Sequence, residues 1–220
     1  LGLAGMDFAI IDTEHAPCDQ MLLLDMIRAA DSVGLPTIVR VPEGTEPHIL
    51  KALDVGASGV QIPGLATVEE IREAVSYTKY APRGVRGLSF AQRSAGYGTK
   101  EKFRYMQDSN DGLVNVVHIE NKDAAARVEE LCALEDIDVL FIGPMDISQS
   151  LGHPGDHVGV ELAVELVGLP ALFRQADADD PAVPRLPPAL HIALAHQRVH
   201  RGGQRAEKRF SARACKRTRA

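Results

Sequence analysis

Ile11-Asp12-Thr13-Glu14-His15-Ala16-Pro17 sets two carboxylates and an imidazole directly after an apolar run. With the strand period of two, Asp12 and Glu14 share one face. Acids beside a histidine can hold water or move protons; the bland alternative is a polar strand end that caps the next helix. A second group lies at alternate positions Val116, His118 and Glu120, with Glu120 outermost, and Asp146 follows the next apolar run. Two oxygen donors on neighbouring strand ends, with open positions, suit Mg²⁺ or Mn²⁺ better than Zn²⁺. His118 could add a nitrogen, although a satisfied interior histidine is the simpler reading. Arg40 ends a further apolar run. Its planar guanidinium would bind an anionic oxygen in the same mouth, or else pair with Asp12 or Glu14.

Such groups need a scaffold that gathers strand ends. Phe8–Asp12, Thr37–Val41, Gly59–Pro63, Leu113–Ile119 and Val139–Ile142 are short apolar runs that read as buried parallel strands. Helical patterns alternate with them. One runs from an Asp19 N-cap to Val33, with Gly34 and Pro36 as stop signals. Pro47–Val55 is a short helix, and Thr67–Lys79 opens on a Thr67/Glu70 capping box and is ended by Pro82. Asn121 caps a helix expected to reach Leu134. Between Arg83 and about Asp111 the spacing predicts a long glycine- and arginine-rich loop, of the length that carries function or disorder.

Strand–helix alternation predicts an α/β fold with a parallel sheet. No G-x-G-x-x-G follows a strand, which removes the main signature of a nucleotide-binding open sheet. Polar residues at the ends of several different strands favour a (β/α)8 TIM barrel, whose active site is assembled there. The barrel is expected to be incomplete, with its first strand missing and its last two unrecognisable. Residues 1–157 read as a partial barrel and 158–220 as an atypical region, frame-shifted or disordered: Asp177–Pro188 carries four prolines and the end is rich in Arg and Ala. A shift of reading frame near Asp156 would produce that change. The leading Leu1 reads as a piece of a longer product.

Of 24 basic residues, nine lie between Arg198 and Ala220 against the single acid Glu207, leaving 15 bases and 29 acids elsewhere, a net of −14. The basic end has no motif and little aromatic interleaving, so neither nucleic acid nor membrane is an expected partner. Cys18, Cys132 and Cys215 match no zinc spacing and give no disulfide framework. A reducing cytoplasm is the expected location.

Six segments, in order between Gly5 and about Gly155, resemble the HpcH/HpaI aldolase family, of the 4-hydroxy-2-oxoheptanedioate and 2-dehydro-3-deoxyglucarate aldolase type. They are Asp12–Pro17, Val39–Pro42, Ala52–Gly56, Tyr80–Gly87, His118–Glu120 and Phe141–Ser148. The resemblance implies a class II aldolase that joins pyruvate, a 2-oxo acid, to an aldehyde or separates them. It implies a divalent metal (Mg²⁺, Mn²⁺ or Co²⁺) held by Glu120 and Asp146 and chelated by pyruvate. Arg40 would stabilise the enolate, and His15, oriented by Asp54, would be the acid–base group. Asp12 and Glu14 would bind metal waters, and backbone amides near Met145 and Asp146 would hold the pyruvate carboxylate. His118 stands where the family usually has glutamine, and would contact substrate or add a ligand.

The family forms symmetric homo-oligomers through late helices. Because the late region here is atypical, weaker assembly is expected. Two other readings compete: a citrate-lyase-β-like C–C lyase on acyl-CoA thioesters, and a non-catalytic truncated barrel. The first would need a basic groove for the nucleotide handle, of which only the arginine-rich loop is visible. The second would not unfold cooperatively.

Overall fold

The computed structural model describes residues 1–155 and the strand His191–Leu194. Six parallel strands form one sheet: β1 (Ala9–Asp12), β2 (Thr37–Arg40), β3 (Gly59–Ile62), β4 (Val114–Ile119), β5 (Val139–Ile142) and β6 (His191–Leu194). Their spatial order is their chain order, β1 through β6. A doubly wound sheet reverses that order at a switch point. Parallel neighbours taken strictly in sequence, each joined by a right-handed crossover, instead put every helix on one side and curve into an arc of a barrel.

Helices fill the crossovers: α1 (Gln20–Asp31), α2 (Glu46–Asp54), α3 (Val68–Ser76), α4 (Lys102–Gly112), α5 (Lys122–Ala125), α6 (Val128–Cys132) and α7 (Pro144–Ser150). Local chemistry fixes several of their starts. Asp19 accepts from the amides of Met21 and Leu22 at 3.0 and 2.8 Å, a cap whose loss to alanine costs about 1 kcal/mol. The expected capping box is present: Thr67 Oγ1 accepts from the Glu70 amide at 3.2 Å, and Glu70 accepts from the Thr67 amide at 3.0 Å. Past α1 the chain turns at Gly34, whose φ of +67° needs a residue without Cβ.

The strands alternate cleanly. Ile11, Val39, Val41, Val60 and Ile62 pack against Leu23, Ile27, Ile49, Leu53 and Ala74 of the helix layer. Val117, Ile119, Leu140 and Ile142 pack against Ile71, Ala125, Val128 and Leu131. Each such buried aliphatic contributes roughly 1.5–3 kcal/mol. The positions in between, Asp12, Arg40, Gln61, His118 and Phe141, therefore face away from the helices, on the concave side of the arc.

Four expectations are corrected. The segment from Arg83 to Asp111 is not one loop: it holds a short 3-10 stretch, Arg93–Gly98, and α4. The helix expected from Asn121 to Leu134 is two, α5 and α6, because Arg127 leaves helical dihedrals (φ −115°, ψ 18°). The helix begun at Thr67 stops at Ser76 rather than Lys79, and Pro82 follows in a turn. Finally, β6 supplies a strand where none was legible, pairing Val139↔His191 through Ile142↔Leu194. The boundary at 157, the Asp156 frame shift and the late region behind weaker assembly lie outside the described residues.

Candidate active site

Asp12, Arg40 and Gln61 are direct register neighbours across β1, β2 and β3. Asp12 and Arg40 form a two-pronged pair: Arg40 Nε donates to Asp12 Oδ1 at 2.9 Å, and Nη2 donates to Oδ2. A carboxylate matched to a guanidinium fork fixes orientation as well as charge. Asp12 Oδ1 also accepts from the amides of Glu14 (3.0 Å) and His15 (3.3 Å), so one carboxylate shapes the turn and aims the arginine. Burial would push the Asp12 carboxyl up, but the bonds from Arg40 and the two amides outweigh it and hold the pKa at about 2.

Glu14 lies two residues beyond the end of β1, with Oε2 3.2 Å from Arg40 Nη1. Burial raises its pKa, and the nearby Glu120 adds to the rise while Arg40 opposes it. Arg40 is thus paired as its simpler reading expected, yet a quarter of its side chain (23%) stays accessible and the Glu120 charge also acts on it.

His118 is buried on the concave face, 1% exposed and stacked on Phe141 with ring centroids 4.7 Å apart. Its Nδ1 bonds Glu120 Oε1, and its Nε2 meets the side-chain amide of Gln61. The other Glu120 oxygen accepts from the Gly64 amide at 2.9 Å. Burial would raise the Glu120 carboxyl, but His118, Gly64 and Arg40 together hold it below its ordinary value.

Asp146 sits in the first turn of α7, just past β5, and Gly143 lies between it and Glu120. A Cβ added at Gly143 would stand 3.6 Å from Glu120 Oε1 and 3.5 Å from Asp146 Oδ2. The two carboxylates converge on a space left by that missing side chain.

The remaining expected residues are more dispersed. His15 lies at the outer rim, its side chain 70% exposed and its Nε2 3.6 Å from Glu14 Oε2. Asp54 does not orient it: Asp54 accepts instead from Arg86 Nη2 at 3.1 Å. Arg86 is buried, with its guanidinium carbon 4.6 Å from the Tyr80 ring centroid, so Asp54 serves an ion pair beneath the long connection. Met145 is exposed beside Asp146.

Sequence reasoning missed Gln61, Gly64, Gly143 and Arg86. Gln61 did carry a signal, as a lone polar side chain inside the run Gly59–Ile62. Among the described residues no group of three or more His, Cys, Asp or Glu side chains is arranged around a metal position. Glu120 and Asp146 are the two carboxylates that meet at Gly143. No helix among those residues is long and apolar enough to cross a membrane.

Comparison with known proteins locates the chain. The model of the HpcH/HpaI aldolase/citrate lyase family matches residues 1–179, running past the change of sequence character at His157. The 2-dehydro-3,6-dideoxy-6-sulfogluconate aldolase of Pseudomonas putida is 37% identical over 156 residues, 71% of this chain and 60% of that protein. The 5-keto-4-deoxy-D-glucarate aldolase of Shigella boydii is 35% identical over 167 residues, 75% of this chain and 64% of that protein. The chain therefore spans less than two thirds of the length of these relatives. A solved HpcH/HpaI aldolase/citrate lyase family structure from Burkholderia cenocepacia superposes with a TM-score of 0.70 at 29% identity, covering 88% of this chain and 81% of that one.

Proposed function

The chain belongs to the HpcH/HpaI aldolase/citrate lyase family, and from that premise we propose that it is a class II aldolase that makes or breaks a carbon–carbon bond between pyruvate and an aldehyde. The observation that carries the proposal is the convergence of Glu120 and Asp146 over Gly143, with Arg40 close enough for its charge to act on Glu120.

Two carboxylates with an open cradle fit a hard divalent cation such as Mg²⁺, Mn²⁺ or Co²⁺, held by Glu120 and Asp146 with water completing the shell. When bound, that ion supplies Lewis-acid polarisation of a carbonyl oxygen.

The chain's own residues do the rest. A 2-dehydro-3-deoxy acid has its ketone at C2 and a hydroxyl at C4, so retro-aldol cleavage between C3 and C4 leaves pyruvate as its enolate. Negative charge then develops on the keto oxygen. Arg40, already oriented by Asp12 and Glu14, provides donors whose value grows with that charge. Asp12 and Glu14 keep the arginine fixed, so little reorganisation is needed as the reaction proceeds. His15, accessible at the rim with Nε2 3.6 Å from Glu14 Oε2, takes the proton of the aldol hydroxyl. First-turn amides of a helix have no intrahelical acceptor. Those of Met145 and Asp146 would hold the pyruvate carboxylate. Asp54, bonded to Arg86, stands apart from that proton transfer.

The direct test is retro-aldol cleavage of 2-dehydro-3-deoxy sugar acids, followed by coupled pyruvate detection, with and without Mg²⁺, Mn²⁺ or Co²⁺. Metal-stimulated release of pyruvate is expected. A folded chain that releases none with any of the three ions would overturn the proposal. A chain lacking cooperative thermal unfolding would favour the non-catalytic barrel instead.

A further inference from the structure

Position 118 holds a histidine wired at both nitrogens. Glu120 Oε1 is an acceptor, so Nδ1 must carry the proton it donates. Nε2 faces the side-chain amide of Gln61, so both ring nitrogens are engaged. Phe141 stacks on one face of the ring, and the ring is 1% exposed, so its plane is fixed.

Glu120 is in turn gripped at two points, by His118 at Oε1 and by the Gly64 amide at Oε2. Each oxygen keeps a further lone pair. The carboxylate is aimed without being used up.

We infer that His118 is a positioning residue: through Nδ1–H it fixes the Glu120 carboxylate toward the Gly143 cradle. Both ring nitrogens are engaged by side chains, so it acts through Glu120. The inference rests on Glu120 being a metal ligand. Groups that orient metal ligands change metal affinity roughly 10- to 100-fold when removed.

Asparagine separates this role from simple packing. Its amide nitrogen occupies about the place of histidine Nδ1, so His118→Asn keeps the donor to Glu120, whereas His118→Leu keeps bulk without a donor.

The test is Mn²⁺ affinity, read from the free-ion signal in electron paramagnetic resonance, on the full chain and on variants whose thermal melts are checked. His118→Leu should weaken Mn²⁺ binding on the order of 10- to 100-fold, with His118→Asn within about threefold of the parent. Equal loss in Asn and Leu variants, or no loss in Leu, overturns the inference. If a variant does not fold, ¹⁵N spectra of the unaltered chain decide it: a protonated Nδ1 is expected, and a bare Nδ1 overturns the inference. Glu120→Gln is the separate control. Unchanged Mn²⁺ affinity there removes the metal reading itself, whereas loss there beside an unaffected His118→Leu removes only the positioning role.

Discussion

Glu120 and Asp146 come from different strand–helix connections, yet their carboxylate oxygens meet within 3.6 and 3.5 Å of one point, the vacant Cβ position of Gly143. That position would also lie 3.0 Å from Glu120 Cγ, too close for comfort. The backbone there (φ −97°, ψ 83°) suits any L-residue, so Gly143→Ala should fold normally while its methyl displaces Glu120. Because Glu120 is tethered to His118 and Gly64, it cannot yield freely. Mn²⁺ affinity should fall on the order of tenfold with an unchanged melt. Undiminished binding would place the metal elsewhere.

Removing either ligand charge should be more severe. Glu120→Gln or Asp146→Asn should abolish metal-stimulated pyruvate release while the thermal transition persists, since neither side chain belongs to the apolar core. Full activity in either variant would refute the site.

Arg40 and His15 should fail in different ways. Arg40→Lys retains charge but loses the fork that meets Asp12, and a point charge cannot hold the same geometry. It should lose about a hundredfold or more in cleavage, and also slow proton exchange at the pyruvate methyl group, which passes through the same enolate. Pyruvate has no aldol hydroxyl for His15 to act on. His15→Ala should lose about a hundredfold in cleavage and spare exchange. Proton NMR of pyruvate in deuterated water separates the two; exchange surviving in Arg40→Lys would show the roles wrongly divided.

Asp12 and Glu14 should titrate further apart than such a pair ordinarily does. The Asp12 pKa is lowered from 3.8 to about 2, so its contribution to stability is complete above about 3.8 and is lost as pH falls through about 2. The Glu14 pKa is raised from 4.5, chiefly by burial, so folding disfavours its ionised form and it takes up its proton first on acidification. Carboxyl-carbon NMR should find Asp12 still ionised where Glu14 is neutral. Asp12 titrating at or above Glu14 would contradict the pairing seen with Arg40.

Much of this was legible because strands buried on one face write themselves as apolar runs, and polar residues at their ends mark the mouth. The helix α4 was not, because its sequence is polar and buries only Tyr105 and Asn110 along its length. The strand β6 follows a proline-rich stretch that masks a four-residue run. The partner of Asp54 was hidden for another reason: Arg86 lies 32 residues away, in a segment with no periodicity to place it. Gly143 followed by Pro144 says in sequence only that a strand has ended, and the positions of its neighbours reveal the space it leaves.

The strict alternation along the strands divides the chain into two inheritances. Ile11, Val39, Val60, Val117 and Leu140 answer to the helix layer, while Asp12, Arg40, Gln61 and His118 face the concave side, and among these residues none serves both. Drift can therefore revise one set while selection holds the other still. A laboratory lineage seeking heat tolerance could rework Leu23, Ile71 or Leu131 without touching the concave residues.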